Sequence, residues 1–349
     1  MKPDYIVSIA KKTEKGKIQS FIDNCWKKNH SLVMSSELFD FQHKNSITGE
    51  YNFILAKDTE RKEDDIVALM GFIPTYQYDR SLESNGDYWG AIWKKRDDVK
   101  DERFKSSGFD VYQRIYEEIN FHSYAAIGVS KIALKIYKFW GCKIGYLNHY
   151  YILNDKIKNF VIAGNVNQSD FSLHEDIEGD FSWKLFEIDE NEISSLNITP
   201  YYKPYKSINY IINRYAKHPI YKYKFLGIYK NNAIVSLLVI RLMEVNGAKS
   251  IRVVDVLGQL QGLLYHQFIS YLHATGAEYV DILNYGIDEN VFYQMGFKKL
   301  DLNGNLIIPN YFEPFEQRNV KIDIAWKADY EGYVAFKGDS DQDRPNILR

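Results

Sequence analysis

The chain has 349 residues, enough for about two domains of ordinary size. Its formal net charge of -2 excludes a strong electrostatic footprint for nucleic acid or an anionic membrane. Its two cysteines, Cys25 and Cys142, are too far apart for a metal-ligand motif and fit a reducing, cytoplasmic setting.

From the N-terminus, Met1-Lys2-Pro3-Asp4 lacks the apolar core of a signal peptide, and no later apolar run reaches the roughly 20 residues of a membrane span. Residues 17–28 have helical spacing in Ile18, Phe21, Ile22 and Cys25. Residues 51–56 and 66–78 read as strands joined by a charged hairpin loop, and Asn85-Gly86-Asp87 marks a turn. A third strand, 88–93, is expected to carry Trp89 and Trp93 on one face. The charged segment 94–108 ends in Lys105-Ser106-Ser107-Gly108. The spacing of Tyr112, Ile115, Tyr116 and Ile119 then predicts a helix over 110–120. Residues 155–206 are weakly patterned, with candidate linkers at 154–158 and 175–180. After a helix-like 207–215, strands are expected at 223–228, 233–245 and 251–257. Asn231-Asn232 and Asn246-Gly247 are the turns between them. A helix over 259–275 follows, with Leu260, Leu264, Phe268 and Leu272 on one face.

The chain repeats itself. Residues 125–129 form an apolar strand, 130–140 a short helix, then come Gly141-Cys142-Lys143 and an aromatic run over 146–153. Residues 279–283, 288–295, Gly296-Phe297-Lys298 and the apolar run 306–309 have the same order. Each half therefore reads β-β-β-α-β-α-β, which points to two related α/β domains.

This element order resembles the GNAT acyltransferase fold. Ile136-Tyr137-Lys138-Phe139-Trp140-Gly141-Cys142 is similar to that family's Tyr-x-x-x-Gly-Phe turn, with Cys142 replacing the aromatic. Phe292-Tyr293-Gln294-Met295-Gly296-Phe297 is similar to the same turn, with Phe292 where the tyrosine would stand. Lys105-Ser106-Ser107-Gly108 falls where the family has its pyrophosphate loop, and Leu257-Gly258-Gln259 at the corresponding junction of the second half. The resemblance implies an α/β (α+β) architecture of two tandem GNAT-like domains, each a mixed, mostly antiparallel sheet flanked by helices. They would span 1–160 and 207–349, joined by 161–206. It also implies acetyl-CoA or another acyl-CoA as co-substrate, with no metal.

A helix N-terminus attracts phosphate through its unpaired N–H groups and partial positive charge. That makes Lys105, Ser106, Ser107, Gly108, Phe109 and Val129 the candidate coenzyme contacts. The plain alternative is a loop with a glycine turn and serine caps. The resemblance puts Tyr137 where such enzymes protonate the departing thiolate; Tyr124 and Tyr146 compete for the role, and Tyr137 can equally serve as packing. Phe292 cannot donate a proton, which favours the first half for catalysis. His149, His122 and Asp255 are candidate general bases, and ordered water can also relay the proton.

The C-terminal run from Lys337 to Asn346 is densely polar. Its Asp-x-Asp-x-Asp resembles the start of a calcium loop, but Arg344 stands where that loop requires glycine. A solvated tail is the ordinary expectation. Alternatively, Asp339, Asp341, Asp343, Arg344 and Asn346 bind substrate. The run also resembles tails of tandem GNAT-like proteins encoded among surface-polysaccharide genes. That likeness implies an N-acyltransferase acting on a nucleotide-linked amino sugar. Two other readings remain open. A Fem-type aminoacyl or peptidyl transferase also uses two such halves, but the near-neutral charge and lack of a basic helical arm count against tRNA. A non-catalytic binding protein built on degenerate halves would explain why neither half carries the full Arg/Gln-x-x-Gly-x-Gly/Ala signature.

Overall fold

A computed structural model describes residues 5–61, 63, 65–119, 121–172 and 182–345. Asn346 and the acidic stretch 175–180 lie outside the described residues. The chain opens with β1 (Tyr5–Ala10) and the short helices α1 (Lys15–Phe21), α2 (Ser31–Met34) and α3 (Ser36–His43). Then come β2 (Tyr51–Asp58), β3 (Ile66–Pro74), β4 (Asp87–Lys95), α4 (Ser107–Glu118), β5 (Ser123–Ile127), α5 (Lys131–Phe139), β6 (Lys143–Tyr146) and β7 (Asn148–Leu153). The second half holds β8 (Trp183–Ile188), α6 (Ile208–Ile211), β9 (Lys224–Lys230), β10 (Ala233–Val245), β11 (Ala248–Gly258), α7 (Tyr265–Thr275), β12 (Ala277–Tyr285), α8 (Glu289–Gln294) and β13 (Lys298–Lys299). A small hairpin, β14 (Tyr311–Phe312) with β15 (Phe315–Glu316), precedes β16 (Asp323–Ala328) and β17 (Ala335–Phe336). Among the described residues no helix is long and apolar enough to cross a membrane.

Two mixed sheets result. The first has the order β1-β2-β3-β4-β5-β16-β6 and the second β8-β9-β10-β11-β12-β7-β13. Their neighbours are antiparallel except for one parallel pair in each, β4 with β5 and β11 with β12. The sheets match position by position, and each takes its sixth strand from the other half of the chain. The aromatic run expected as one strand over 146–153 is therefore two. Exposed β6 stays at the edge of the first sheet, whereas apolar β7 crosses over and is covered on both flanks by β12 and β13. The sequence pattern did not show β1, β8, β16 or the β14–β15 hairpin, and β8 lies within the segment read as a connector. The apolar run 306–309 makes no ladder; Ile307 forms an isolated bridge with Gly164, while Leu306 and Ile308 fill a small core.

The sheets pack face to face. Trp89, Ala125, Ile127 and Trp326 of the first meet Phe225, Leu237, Val254 and Leu283 of the second in one core. Fully burying a large apolar side chain contributes roughly 1.5–3 kcal/mol, so this core ties the halves together. Helices α4 and α5 cover the outer face of the first sheet, and α7 and α8 that of the second. Trp89 and Trp93 do not share a face as their spacing predicted. The register against β3 moves from Phe72↔Gly90 to Met70↔Trp93, a bulge of one residue in β4. The extra residue turns Trp93 toward the helices while Trp89 stays in the inter-sheet core.

The repeated helix ends are alike in detail. Gly141 and Gly296 have φ of 78° and 94°. The next N–H reaches back five residues, Cys142 to Tyr137 at 3.0 Å and Phe297 to Phe292 at 2.9 Å. Helix α7 starts at Tyr265, six residues later than its apolar spacing suggested. Gly262, at φ 110°, lies pressed against the Trp183 ring in the intervening loop.

Candidate functional site

The parallel pairing of β4 with β5 runs from Asp87↔Ser123 to Gly90↔Ala126 and stops. Beyond it β4 continues to Lys95, while β5 ends at Ile127 and turns into Ser130, whose Oγ caps α5 by accepting from the Ala133 N–H. The strands thus part, and a groove of about 370 Å³ opens over the gap. Its walls are Trp93, Lys94 and Lys95 of β4, Gly108 and Phe109 in the first turn of α4, and Ser130, Ile132, Ala133 and Ile136 on α5. The start of each helix therefore borders it, with orphan N–H groups and a partial positive charge. Trp93, Phe109, Ile132 and Ile136 make the lining apolar, Lys94, Lys95 and Lys105 add cations, and Asp97 adds a carboxylate paired with Lys94 at 2.6 Å. An elongated ligand with an apolar arm and an anionic end matches this arrangement.

The expected coenzyme contacts divide. Lys105, Gly108 and Phe109 line the groove. Ser106 precedes α4 without capping it; its hydroxyl bonds Asp110 at 2.9 Å and the Tyr5 hydroxyl at 2.9 Å. Ser107 is buried and donates to the Phe104 carbonyl at 2.8 Å. The Val129 N–H points to the Asp323 carbonyl at 3.3 Å, and Val129 is not among the lining residues. Lys94, Lys95 and Ser130 were missed. A basic pair directly after Trp93, and a serine before the apolar helix, were the signals for them.

Tyr137 is buried behind the groove among Trp93, Tyr112 and Trp140. Its hydroxyl lies 3.2 Å from that of Tyr124. A Cβ placed on Gly90 would come 2.0 Å from the Tyr124 oxygen, so the phenol pair abuts the backbone where the strands part. Burial pushes both phenols well above their ordinary pKa, so both keep their protons near neutrality. Cys142 lies 3.7 Å from the Tyr112 hydroxyl, and burial likewise raises its thiol. Phe292, the counterpart of Tyr137, stacks on Tyr150 with centroids 4.1 Å apart.

The base candidates are placed elsewhere. His149 is buried, its Nε2 2.8 Å from Asp281, and Arg252 holds the same carboxylate through Nε at 3.0 Å and Nη2 at 2.6 Å. Asp255 is also buried; it accepts from Lys206 at 2.5 Å and from the Tyr215 hydroxyl at 2.6 Å. His122, on the surface, pairs with Asp329, whose hydrogen bond raises its pKa. Tyr146 is partly exposed, with Lys321 over its ring.

The polar C-terminal run is not a solvated tail. Asp339 is fully buried and meets the Lys206 ammonium at 2.7 Å. Asp343 accepts from the Tyr223 hydroxyl at 2.7 Å, and Asp341 pairs with Arg344 at 3.1 Å. The run crosses between the sheets. Gly338 donates to the Val254 carbonyl at 2.7 Å, Ser340 Oγ to Gly90 at 2.7 Å, and Gln342 to Ile127 at 2.9 Å. Gly90 and Ile127 flank the mouth of the first split. The carboxylates offered as substrate ligands are thus engaged by the protein's own cations and hydroxyls, and the run itself borders the split.

In the second sheet the equivalent split is filled. β17 pairs with β12 through Asn284↔Phe336 and Tyr285↔Ala335, on the side where β11 diverges. A Cβ at Gly258 would lie 2.3 Å from the Val235 carbonyl, so this glycine serves close backbone packing.

Structural comparison sets beside this chain a GCN5-related N-acetyltransferase from Anabaena variabilis ATCC 29413. It aligns over 93% of this chain and 72% of that one, with a TM-score of 0.53 and 10% identity. The fold is shared with the N-acetyltransferases. A conserved protein of unknown function and probable N-acyltransferase from Enterococcus faecalis V583 aligns over 93% of this chain and 72% of its own, with a TM-score of 0.51 and 7% identity. At such identities the likeness is one of fold. No protein-family model matches the chain, and no curated protein matches its sequence.

Proposed function

We propose that this protein is an acyl-CoA-dependent N-acyltransferase, acetyl by default, acting on the amine of a nucleotide-linked amino sugar. The observation that carries the reading is the open β4–β5 split, with an apolar, lysine-edged groove on one side and a phenol pair at its vertex. The fold neighbours described as an N-acetyltransferase and a probable N-acyltransferase support it. In this reading the residues within 1–160 hold the coenzyme, and those within 207–349, with the tail, wall the acceptor side. The segment 161–206 connects them and adds β8 to the second sheet. The setting is one that supplies acyl-CoA, the cytoplasm.

The acyl-CoA arm lies along Trp93, Phe109 and Ile136, with its phosphates toward Lys105 and the first turn of α4. Its thioester reaches the vertex. The amine nitrogen attacks the thioester carbonyl carbon, the carbon–sulfur bond breaks, and the nitrogen gives up a proton to water. Tyr137, kept protonated by burial and backed by Tyr124, gives its proton to the departing thiolate. Water is the acceptor because His149 lines a separate cavity and Asp255 is held by Lys206. The polysaccharide context rests on the likeness of the tail.

The test is a thermal shift with acetyl-CoA, followed by acetyl transfer to nucleotide-linked amino sugars. At a hundredfold excess over Kd, a bound ligand stabilises by about 2.7 kcal/mol, a rise of several degrees in Tm. A shift with aminoacyl-tRNA but none with any acyl-CoA would replace this reading with the Fem-type one. No shift with either would favour a non-catalytic binding protein.

A further inference from the structure

A second cavity, of about 680 Å³, lies at the crossing from β6 to β7, where the chain leaves one sheet for the other. Both halves build it. Tyr146 and Asn148 come from the crossing, His149 from β7, Lys299 from the end of β13, and Asn319 and Lys321 from the segment before β16. Its polar groups are amides, a phenol, three nitrogen bases and one carboxylate, that of Asp301, beside two leucines.

His149 is fixed in this wall. Burial alone would raise the Asp281 pKa, but Arg252 and His149 hold it below the usual carboxylate range. An ionised Asp281 can only accept, so the proton of the imidazole sits on Nε2. Nδ1 has no hydrogen-bond partner among the described residues and is left as an acceptor for a hydroxyl. Behind His149 stands Lys337, whose N–H bonds the Leu283 carbonyl at 3.2 Å, and Leu283 is the strand partner of His149. Burial, together with the nearby Arg252, pushes Lys337 down to about 7. The lysines at the rim are held by exposed pairs, Lys299 with Glu289 at 3.1 Å and Lys321 with Asp323 at 3.0 Å. Such pairs are weak and exchange readily for a better anion.

The cavity is placed with respect to the split. Tyr146 pairs with Asp323, and the Asp323 carbonyl accepts from the Gly128 N–H at 2.8 Å, just past the end of β5. From the split to Tyr146 is two to three strand spacings, roughly 10–15 Å. That is about the reach from a sugar amine to the far side of a linked diphosphate.

We infer that this cavity holds the nucleoside diphosphate end of the acceptor. Lys299 and Lys321 face its phosphates, and His149 and the amides face its hydroxyls. The inference rests on the amino-sugar reading for the place of the amine. The experiment is calorimetric titration of the full chain with UDP, dTDP, GDP and CDP in turn. It is repeated on a Lys299→Ala/Lys321→Ala double variant, whose replaced side chains are exposed enough to leave the fold intact. At least one diphosphate is expected to bind, and to weaken tenfold or more in the variant, while the thermal shift with acetyl-CoA is unchanged. No binding by any of the four, or binding that the variant leaves intact, overturns the assignment. Lysine-dependent binding in a protein that acetyl-CoA does not stabilise would keep the cavity and remove the acyl-transfer reading.

Discussion

The two strand splits make the most instructive comparison in the molecule. Both sit between the parallel strands of sheets built to the same plan, and both are followed by a short helix closed by a glycine turn. Between β4 and β5 the gap opens onto a groove edged with lysines and backed by two phenols. Between β11 and β12 the gap takes in β17, and the helix after it carries Phe292 instead of Tyr137. One fold position is thus an open groove in one half and a socket for the chain's own tail in the other. The same tail then reaches Gly90 and Ile127, so filling the second split also shapes the mouth of the first.

The largest effect is expected from unseating the tail. Lys206 lies buried between Asp255 and Asp339. Burial raises the Asp339 pKa, with Lys206 opposing and Asp255 reinforcing the shift. One ammonium therefore serves two carboxylates, and the two partners are not equivalent. Lys206→Met leaves both carboxylates without their cation and is expected to cost about 3–5 kcal/mol, read as a fall in the denaturation midpoint. Asp339→Asn leaves a neutral Lys206–Asp255 pair and is expected to cost far less. Equal losses in the two variants would show that the tail is not held by this arrangement.

Next in size is the asymmetry at the helix turn. Tyr137→Phe makes the first half chemically like the second. It is expected to lower turnover ten- to a hundredfold, about 1.4–2.7 kcal/mol of barrier, with acetyl-CoA affinity nearly unchanged. Tyr124→Phe removes only the neighbour of Tyr137 and is expected to have a smaller effect in the same direction. If Tyr137→Phe retains full turnover, the phenol pair is packing alone, and the chemical difference between the splits disappears.

Acid offers a third test, this time on the stability of the first half. His43 is fully buried, and burial pushes it down to about 3. Folded chains therefore exclude a proton that unfolded chains take up below about 6.5, so stability falls as pH drops through that point and is restored as it rises. The expected slope from this residue is about 1 kcal/mol per pH unit between 6.5 and 5, above the range where carboxylates titrate. His43→Gln should flatten the fall in Tm across that window. An unchanged slope would mean that His43 does not stay neutral in the folded protein.

How much of this was legible beforehand depends on whether the cause was local. The glycine-ended helices and the two asparagine turns could be read because their backbone conformations are set by a few adjacent residues. Lys105, Gly108 and Phe109 follow from their place at a helix start. The strand exchange was hidden because an edge strand and a buried strand run together over 143–153, and only the partner sheets distinguish them. The facing of Trp93 was hidden by one bulged residue, since periodicity assumes an unbroken ladder. The tail was misjudged for a third reason. Charge density is read as solvation unless the counter-charges are known, and Lys206, Tyr223 and Arg241 lie a hundred or so residues away. Local patterns therefore named the groove, whereas long-range pairing decided what each carboxylate faces.

The smallest expected effect bears on whether the lysines distinguish the open split from the filled one. Lys105 is 78% exposed and pairs with Glu102 at 3.3 Å. An exposed charge of this kind is worth at most about 1 kcal/mol and is screened by salt. Lys105→Ala should therefore weaken acetyl-CoA binding two- to fivefold at low ionic strength. The difference should shrink toward none near 1 M salt, where the screening length is about 3 Å. Lys95 is braced by its donation to the Lys105 carbonyl at 3.4 Å. Lys95→Ala should act in the same direction, and the two losses should fall short of adding because the residues touch. A salt-independent loss would point to disruption of the α4 start. No loss in either variant would leave the helix N–H groups as the source of phosphate affinity, and the contrast between the splits would then rest on the open backbone alone.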